Sequence, residues 1–190
     1  MRKPTFNNIP NKSYNINGKE IWHSRSPAVV AVIMAIDKNI NNKYILIEKR
    51  SDIMPMEPGK WALPGGCIDW NENGWNALRR EVYEETSFLI DTYKDYMIYN
   101  NNKEPFFVET EPSKSSQMII LNYALYFFFN KEYFPNYVEN YSNEEVTKVK
   151  WAKLDEVLSK KYNMAFEHEE IVKIGVNSFL RGTLNLMIYK

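Results

Sequence analysis

The sequence predicts an α+β fold in which a mixed sheet is sandwiched between helices. Apolar and β-branched runs of strand length recur along the chain, above all at residues 28–36 (AVVAVIMAI) and 117–129. One amphipathic, acid-rich helix is inserted among them at about residues 73–86, and a second helical stretch, 166–180, closes the chain. Strands interrupted by one helix and ended by another must bury their apolar faces in layers.

Residues 1–12 are polar and Asn-rich and are expected to form an arm. Residues 14–16 and 19–22 flank Asn17-Gly18, a pair suited to a two-residue hairpin turn. Pro27 closes that hairpin, residues 28–36 form a buried strand, and a polar turn at 37–42 leads to the partner strand at 44–48 (YILIE). Residues 51–60 hold Pro55, Pro58 and Gly59 and read as a loop. A short strand at 61–63 then feeds the turn Pro64-Gly65-Gly66, and Asn71 or Asn73 is placed to cap the helix that follows. Further strands are expected at 93–99, 106–109, 117–129 and 146–152, polar loops at 111–116 and 135–143, and a short helix at 154–160. With no repeat and no linker, residues 1–26 are read as arm and hairpin and residues 27–190 as one domain.

Composition narrows the function. Acidic and basic residues number 24 each, so net charge gives no drive toward nucleic acid or a membrane surface. Cys67 is the only cysteine, which rules out an intrachain disulfide and suits a reducing cytosol. It is read as a small space-filling side chain, with a redox or nucleophilic role as the alternative. No signal-peptide core and no bilayer-length apolar run is present, so a cytoplasmic protein is expected.

The chemistry concentrates at residues 66–88, GCIDWNENGWNALRREVYEETSF. At helical spacing Trp75, Leu78, Val82 and Thr86 share one side, and Glu81, Glu84 and Glu85 cluster on the neighbouring one. Acids packed this way repel, and a hard divalent cation with oxygen ligands would offset the repulsion. Gly65 and Gly66 lack a Cβ, so their backbone can approach a ligand closely. A cation there would polarise a phosphoryl oxygen and acidify water, which points to hydrolysis of a phosphoanhydride.

Gly66, Glu72 and Arg80-Glu81-Val82-x-Glu84-Glu85 together resemble the signature of the Nudix hydrolases. The signature continues with Gly and an apolar residue, where this chain has Ser87 and Phe88. A non-Gly residue in the left-handed conformation expected at such a helix end costs about 1–2 kcal/mol. Asn71 stands where relatives often carry Gly, and asparagine tolerates positive φ. The resemblance implies the Nudix fold over about residues 27–190 and a Mg²⁺ cofactor, with Mn²⁺ as an alternative. It implies metal ligands at Glu81, Glu84, Glu85 and the Gly66 carbonyl, with Glu81 or a downstream acid orienting the attacking water. Arg80, grouped with the catalytic acids, and Glu72 look like a salt bridge bracing loop against helix. One more carboxylate is expected from a later loop, Glu144 as ligand or Glu145 as catalyst, with solvated loop acids as the alternative.

Arg50 is a candidate for a phosphate contact or simply a strand end. Trp22, with Arg25 and His23 beside it, could reach the site from the hairpin, Trp22 stacking a base. His168, in Phe166-Glu167-His168, resembles a segment of ADP-ribose-hydrolysing Nudix proteins and related regulators, although a packed histidine reads equally simply. The expected activity is hydrolysis of a nucleoside diphosphate linked to another group X: ADP-ribose, a nucleotide sugar or a dinucleotide. The alternatives are a nucleoside triphosphate pyrophosphohydrolase and a nucleotide sensor without catalysis. The expected partner is a small nucleotide, and the aromatic strand at 117–129 suits either a homodimer contact or the core.

Overall fold

A computed structural model describes residues 10–38, 42–98, 103–115 and 117–188. Most of the expected arm, the middle of the 37–42 turn, Tyr99 and Ser116 lie outside the described residues. The hairpin forms where Asn17-Gly18 places it. Strands β1 (Lys12–Ile16) and β2 (Lys19–His23) pair in antiparallel register, Ile16 opposite Lys19. Asn17 (φ 49°) and Gly18 (φ 78°) are both left-handed, as a turn matching the strand twist requires. The hairpin is a two-stranded sheet of its own, exposed along its length.

Among the described residues the main sheet has seven strands. Its spine is β3 (Ser26–Asp37), which runs parallel to β8 (Met118–Phe129) from Ser26 opposite Met118 to Asp37 opposite Phe129. On its other edge β3 changes partner. Residues 34–36 pair with β4 (Lys43–Arg50), whereas residues 28–30 pair with β6 (Gly65–Cys67). At the change of partner the Ala31 N–H donates to the Pro64 carbonyl at 2.9 Å. The chain from β5 (Trp61–Ala62) to β6 thus fills the gap where β3 and β4 part. β9 (Val146–Lys153) lines the far side of β4, and β7 (Phe107–Glu109) lies beyond β8.

Side chains along β3 and β4 alternate between two cores. Val29, Ala31, Ile33, Ala35 and Leu46 pack with Leu78 and Val82 of α1 (Gly74–Thr86). Val30, Val32, Met34, Ile45 and Ile47 pack on the opposite side with Val157 of α2 (Leu154–Leu158) and Val172 of α3 (His168–Ile188). A strand buried on both faces needs apolar residues at every position, which is why residues 28–36 show no alternation. The mixed sheet between helices is as expected.

Three elements differ from expectation. Residues 93–98 form no strand: Ile90–Tyr96 is a run of 3-10 turns, followed only by an isolated bridge from Met97 to Phe127. Ile90, Tyr93 and Tyr96 recur at the 3-10 period of three, with Tyr93 stacked on Phe88 and Tyr96 on Phe129. Aromatic enrichment marks a packed surface rather than a strand here. The short helix ends at Leu158 instead of residue 160, and the closing helix begins at His168 because Phe166 and Glu167 are left-handed. The aromatics of β8 are spent inside: Tyr123, Tyr126, Phe127 and Phe129 are all buried.

Candidate functional site

The site is built where the partner change of β3 meets α1. Asn73 caps that helix, its Oδ1 accepting the Asn76 N–H at 2.9 Å, so of the two asparagines considered it is the cap. Asn71 is not among the residues with positive φ. Ser87 ends the helix left-handed, at φ 60° and ψ 8°, with its N–H donating to the Tyr83 carbonyl at 2.8 Å. One turn earlier the Glu84 carbonyl accepts Tyr141 Oη–H at 2.6 Å and Asn143 Nδ2–H at 2.8 Å. The 135–143 loop, which carries 3-10 turns at Asn136–Asn140, therefore anchors the helix end.

Two glycines let the helix come against the sheet. A Cβ on Gly65 would lie 2.1 Å from the Val29 carbonyl oxygen, and one on Gly66 would lie 2.6 Å from Glu81 Oε1. The Gly65 N–H donates to Glu85 Oε2 at 2.7 Å. Glu81 and Glu85, one helical turn apart, thus both face the glycine loop. Glu84 is more exposed, at 55%, and its Oε2 accepts from the same Arg80 Nη1, at 3.0 Å, that bonds Glu81. Sequence spacing put the three acids on one flank; Glu81 and Glu85 meet the loop, and Glu84 lies at its exposed margin.

Arg80 ties the arrangement together. Its Nε and Nη2 clasp both oxygens of Glu72, at 3.2 and 2.5 Å; Nη2 also reaches the Cys67 carbonyl at 3.0 Å, and Nη1 reaches Glu81 Oε1 at 2.8 Å. This forked hydrogen bonding holds Glu72 below the usual carboxylate range and raises Arg80. The brace between loop and helix is thus a geometric fact of the fold. Cys67 is exposed, so it fills no space; its carbonyl is what the brace uses.

Sequence reasoning missed one acid. Glu48 of β4 is 1% exposed and lies within hydrogen-bonding reach of Glu85. It follows Leu46 on the α1 face of the strand, so the alternation in residues 44–48 was the available signal. Burial, and then the Glu85 charge, push Glu48 well up. Burial also raises Glu85; the Gly65 N–H opposes it, while Glu81 and Glu145 add to it. Glu81 is raised by burial against the pull of Arg80, with Glu84 and Glu145 adding repulsion. Glu145 is thus close enough to be felt by both helix acids, and its carbonyl accepts the Ser51 N–H at 2.7 Å. Glu144 and Glu145 are both exposed.

The residues expected to meet substrate differ in what holds them. Arg25 donates through Nη1 to the Thr110 carbonyl at 2.8 Å, and Trp22 is 64% exposed on the hairpin. His23 packs edge-on against Tyr14. Arg50 spends its fork on the Met56 carbonyl, at 3.2 and 3.0 Å, and lies over the Phe166 ring. His168 is buried, and its Nδ1 accepts the Leu63 N–H at 2.9 Å. Burial and the Arg50 charge lower it to about 3, so the ring is neutral and holds the strand that delivers the glycine loop.

These residues suit a hard divalent cation. Glu48 Oε2 is buried without a hydrogen-bond partner, and burial raises Glu48, Glu81 and Glu85 alike, a cost that a bound cation would offset. Beside Glu81 the bare Gly66 leaves room that a side chain would fill. Among the described residues no three acidic, His or Cys side chains are already drawn around one point. Mutual repulsion gives the physical reason, with Arg80 taking Glu81 and Glu84 in hand. Among the described residues no helix is long and apolar enough to cross a membrane.

Known proteins match this fold. Nudix hydrolase 7 of Arabidopsis thaliana is 27% identical over 139 residues, 73% of this chain and 43% of its own length. The chain therefore spans less than half of that relative. A mutT/nudix family protein from Listeria innocua superposes with a TM-score of 0.58 at 22% identity, covering 85% of this chain and 99% of its own. The NUDIX domain of Shewanella oneidensis NrtR, crystallised with ADP ribose, gives 0.54 at 19% identity, covering 83% and 90%. At these identities the structural likeness is one of fold. The NUDIX domain family matches residues 25–173, with the braced glycine loop and the acids of α1 inside that span, and the chain belongs to the Nudix family.

Proposed function

We propose that this protein is a Mg²⁺-dependent pyrophosphohydrolase that cleaves the phosphoanhydride of a nucleoside diphosphate linked to a second group. Mn²⁺ is an alternative cofactor, and ADP-ribose, a nucleotide sugar and a dinucleotide are the favoured substrates. The observation that carries the reading is the convergence of Glu81 and Glu85 on the Gly65–Gly66 backbone, with Glu145 near both. Glu81, Glu84, Glu85 and the Gly66 carbonyl would hold the cation, Glu81 and Glu84 giving up their shared bond to Arg80 Nη1 for it. The bound cation would supply Lewis acidity toward a phosphoryl oxygen and toward water. Arg80, clasped to Glu72, keeps loop and helix at a fixed spacing so that the carboxylates meet the diphosphate in one geometry. Glu145, free of an ion pair among the described contacts, is the acid placed to orient water or accept its proton.

The preference for ADP-ribose no longer draws on His168 as a substrate contact, because that ring is turned into the core. It is supported by the fold shared with a NUDIX domain that binds ADP ribose. A substrate panel with Mg²⁺ or Mn²⁺, scored by phosphate products, tests the proposal. Two monophosphates are expected; monophosphate plus pyrophosphate would mark a triphosphate-cleaving enzyme. Glu84→Gln and Glu85→Gln should each abolish metal-dependent turnover with the fold intact. Undiminished activity in both would refute the mechanism, and tight nucleotide binding without any hydrolysis would make the protein a sensor.

A further inference from the structure

Beneath the helix acids lies one whose burial the proposed reaction does not yet explain. Glu48 enters from the central strand β4, between β5 and β9, with its backbone paired opposite Ala62 and Val149. It is 1% exposed, and its Oε2 makes no hydrogen bond. A buried carboxyl oxygen left unpaired is destabilising, and a Leu or Met on the α1 face of the strand would pack there without that cost. The acid is also aimed at other acids: Glu85 is within hydrogen-bonding reach and Glu81 is near enough to be felt. An acid with no role outside the core would be poorly placed against two more.

We propose that Glu48 is a further carboxylate of the cation centre, its unfilled Oε2 serving the ion that Glu81 and Glu85 would hold while its carboxyl keeps Glu85 in place. The proposal rests on the hydrolase reading above and adds a residue from a different part of the chain to it. The helix alone then supplies only one side of the centre. The sheet supplies the other, and because Glu48 stands on a strand paired on both edges, that side is rigid. The Gly65 N–H holds Glu85 from the loop side at 2.7 Å, which leaves its carboxylate little freedom to turn away.

The test is Mn²⁺ binding to the substrate-free protein, followed by titration calorimetry and by the loss of the free-ion electron paramagnetic resonance signal, for the native chain and Glu48→Gln. Melting temperature without metal is measured alongside. The amide matches the carboxyl in size, so Glu48→Gln should melt at or above the native temperature while binding Mn²⁺ at least tenfold more weakly. Unchanged Mn²⁺ affinity in Glu48→Gln would overturn the proposal and leave Glu48 a core residue. If that variant fails to fold, Glu48→Asp, which withdraws the charge by one methylene, must show the weaker binding instead. The hydrolase reading fails separately, by a native protein whose Mn²⁺ uptake depends on Glu48 but which cleaves nothing in the panel. A native protein that takes up no Mn²⁺ overturns both.

Discussion

Replacing His168 with Asn tests how the glycine loop is held. The Leu63 N–H points at Nδ1, so that nitrogen must be bare and the proton must sit on Nε2. Protonating Nδ1 would set donor against donor in a fully buried pocket, and the group is accordingly lowered from 6.5 to about 3. A folded-state value below the unfolded one means that the contribution is fully present above pH 6.5 and is lost as pH falls toward 3. The slope is about 1.4 kcal/mol per pH unit, so about 2 kcal/mol should disappear between pH 7.5 and pH 5.0. Glu48, Glu81 and Glu85 have raised folded values, so their contribution has the opposite sign and falls as pH rises. They are common to both proteins, and the difference between native chain and variant removes them.

His168→Asn keeps an acceptor near Nδ1 but carries no ionisable ring. At pH 7.5 it should cost about 1–3 kcal/mol from lost packing. Urea unfolding of both proteins at pH 7.5 and 5.0 gives four stabilities. The expected result is a gap between native and variant that narrows by about 2 kcal/mol at the lower pH. A gap independent of pH would refute the assignment of His168 as a neutral buried acceptor.

Two further substitutions probe the loop and the helix end. Gly66→Ala puts a methyl 2.6 Å from Glu81 Oε1, and because that atom ends a side chain the acid can swing aside. Hydrolysis should therefore fall by about tenfold or more with only a small change in melting temperature, since about 1.4 kcal/mol of lost transition-state stabilisation suffices; equal rates would show that the Glu81 position is not critical. Ser87→Gly relieves a left-handed serine at φ 60° and should raise stability by about 1 kcal/mol, or about 2–4 °C by calorimetry. A fall in melting temperature would mean that the serine side chain contributes more than its backbone costs.

Much of the site was legible because it is local. The cap at Asn73, the Arg80 contacts to Glu81 and Glu84 and the left-handed end at Ser87 span one to four residues, and helical geometry fixes such offsets before any tertiary contact forms. The Asn17-Gly18 hairpin was readable for the same reason, its turn demanding two left-handed residues. Residues 93–98 misled because aromatic content reports burial, and both a strand and a 3-10 turn can bury aromatics.

The sequence by itself determined that an acid-bearing helix follows a loop free of side chains, and with it the family. Only the tertiary structure decided that Glu81 and Glu85 face the loop while Glu84 lies at its exposed margin, that Glu48 rises beneath them from β4, and that His168 looks inward to Leu63. Each of those outcomes depends on sheet register and on where β3 exchanges β4 for β6, and a shift of one residue would send Glu48 to the opposite face. Register is settled by packing summed over the whole sheet, so no short window of sequence contains it.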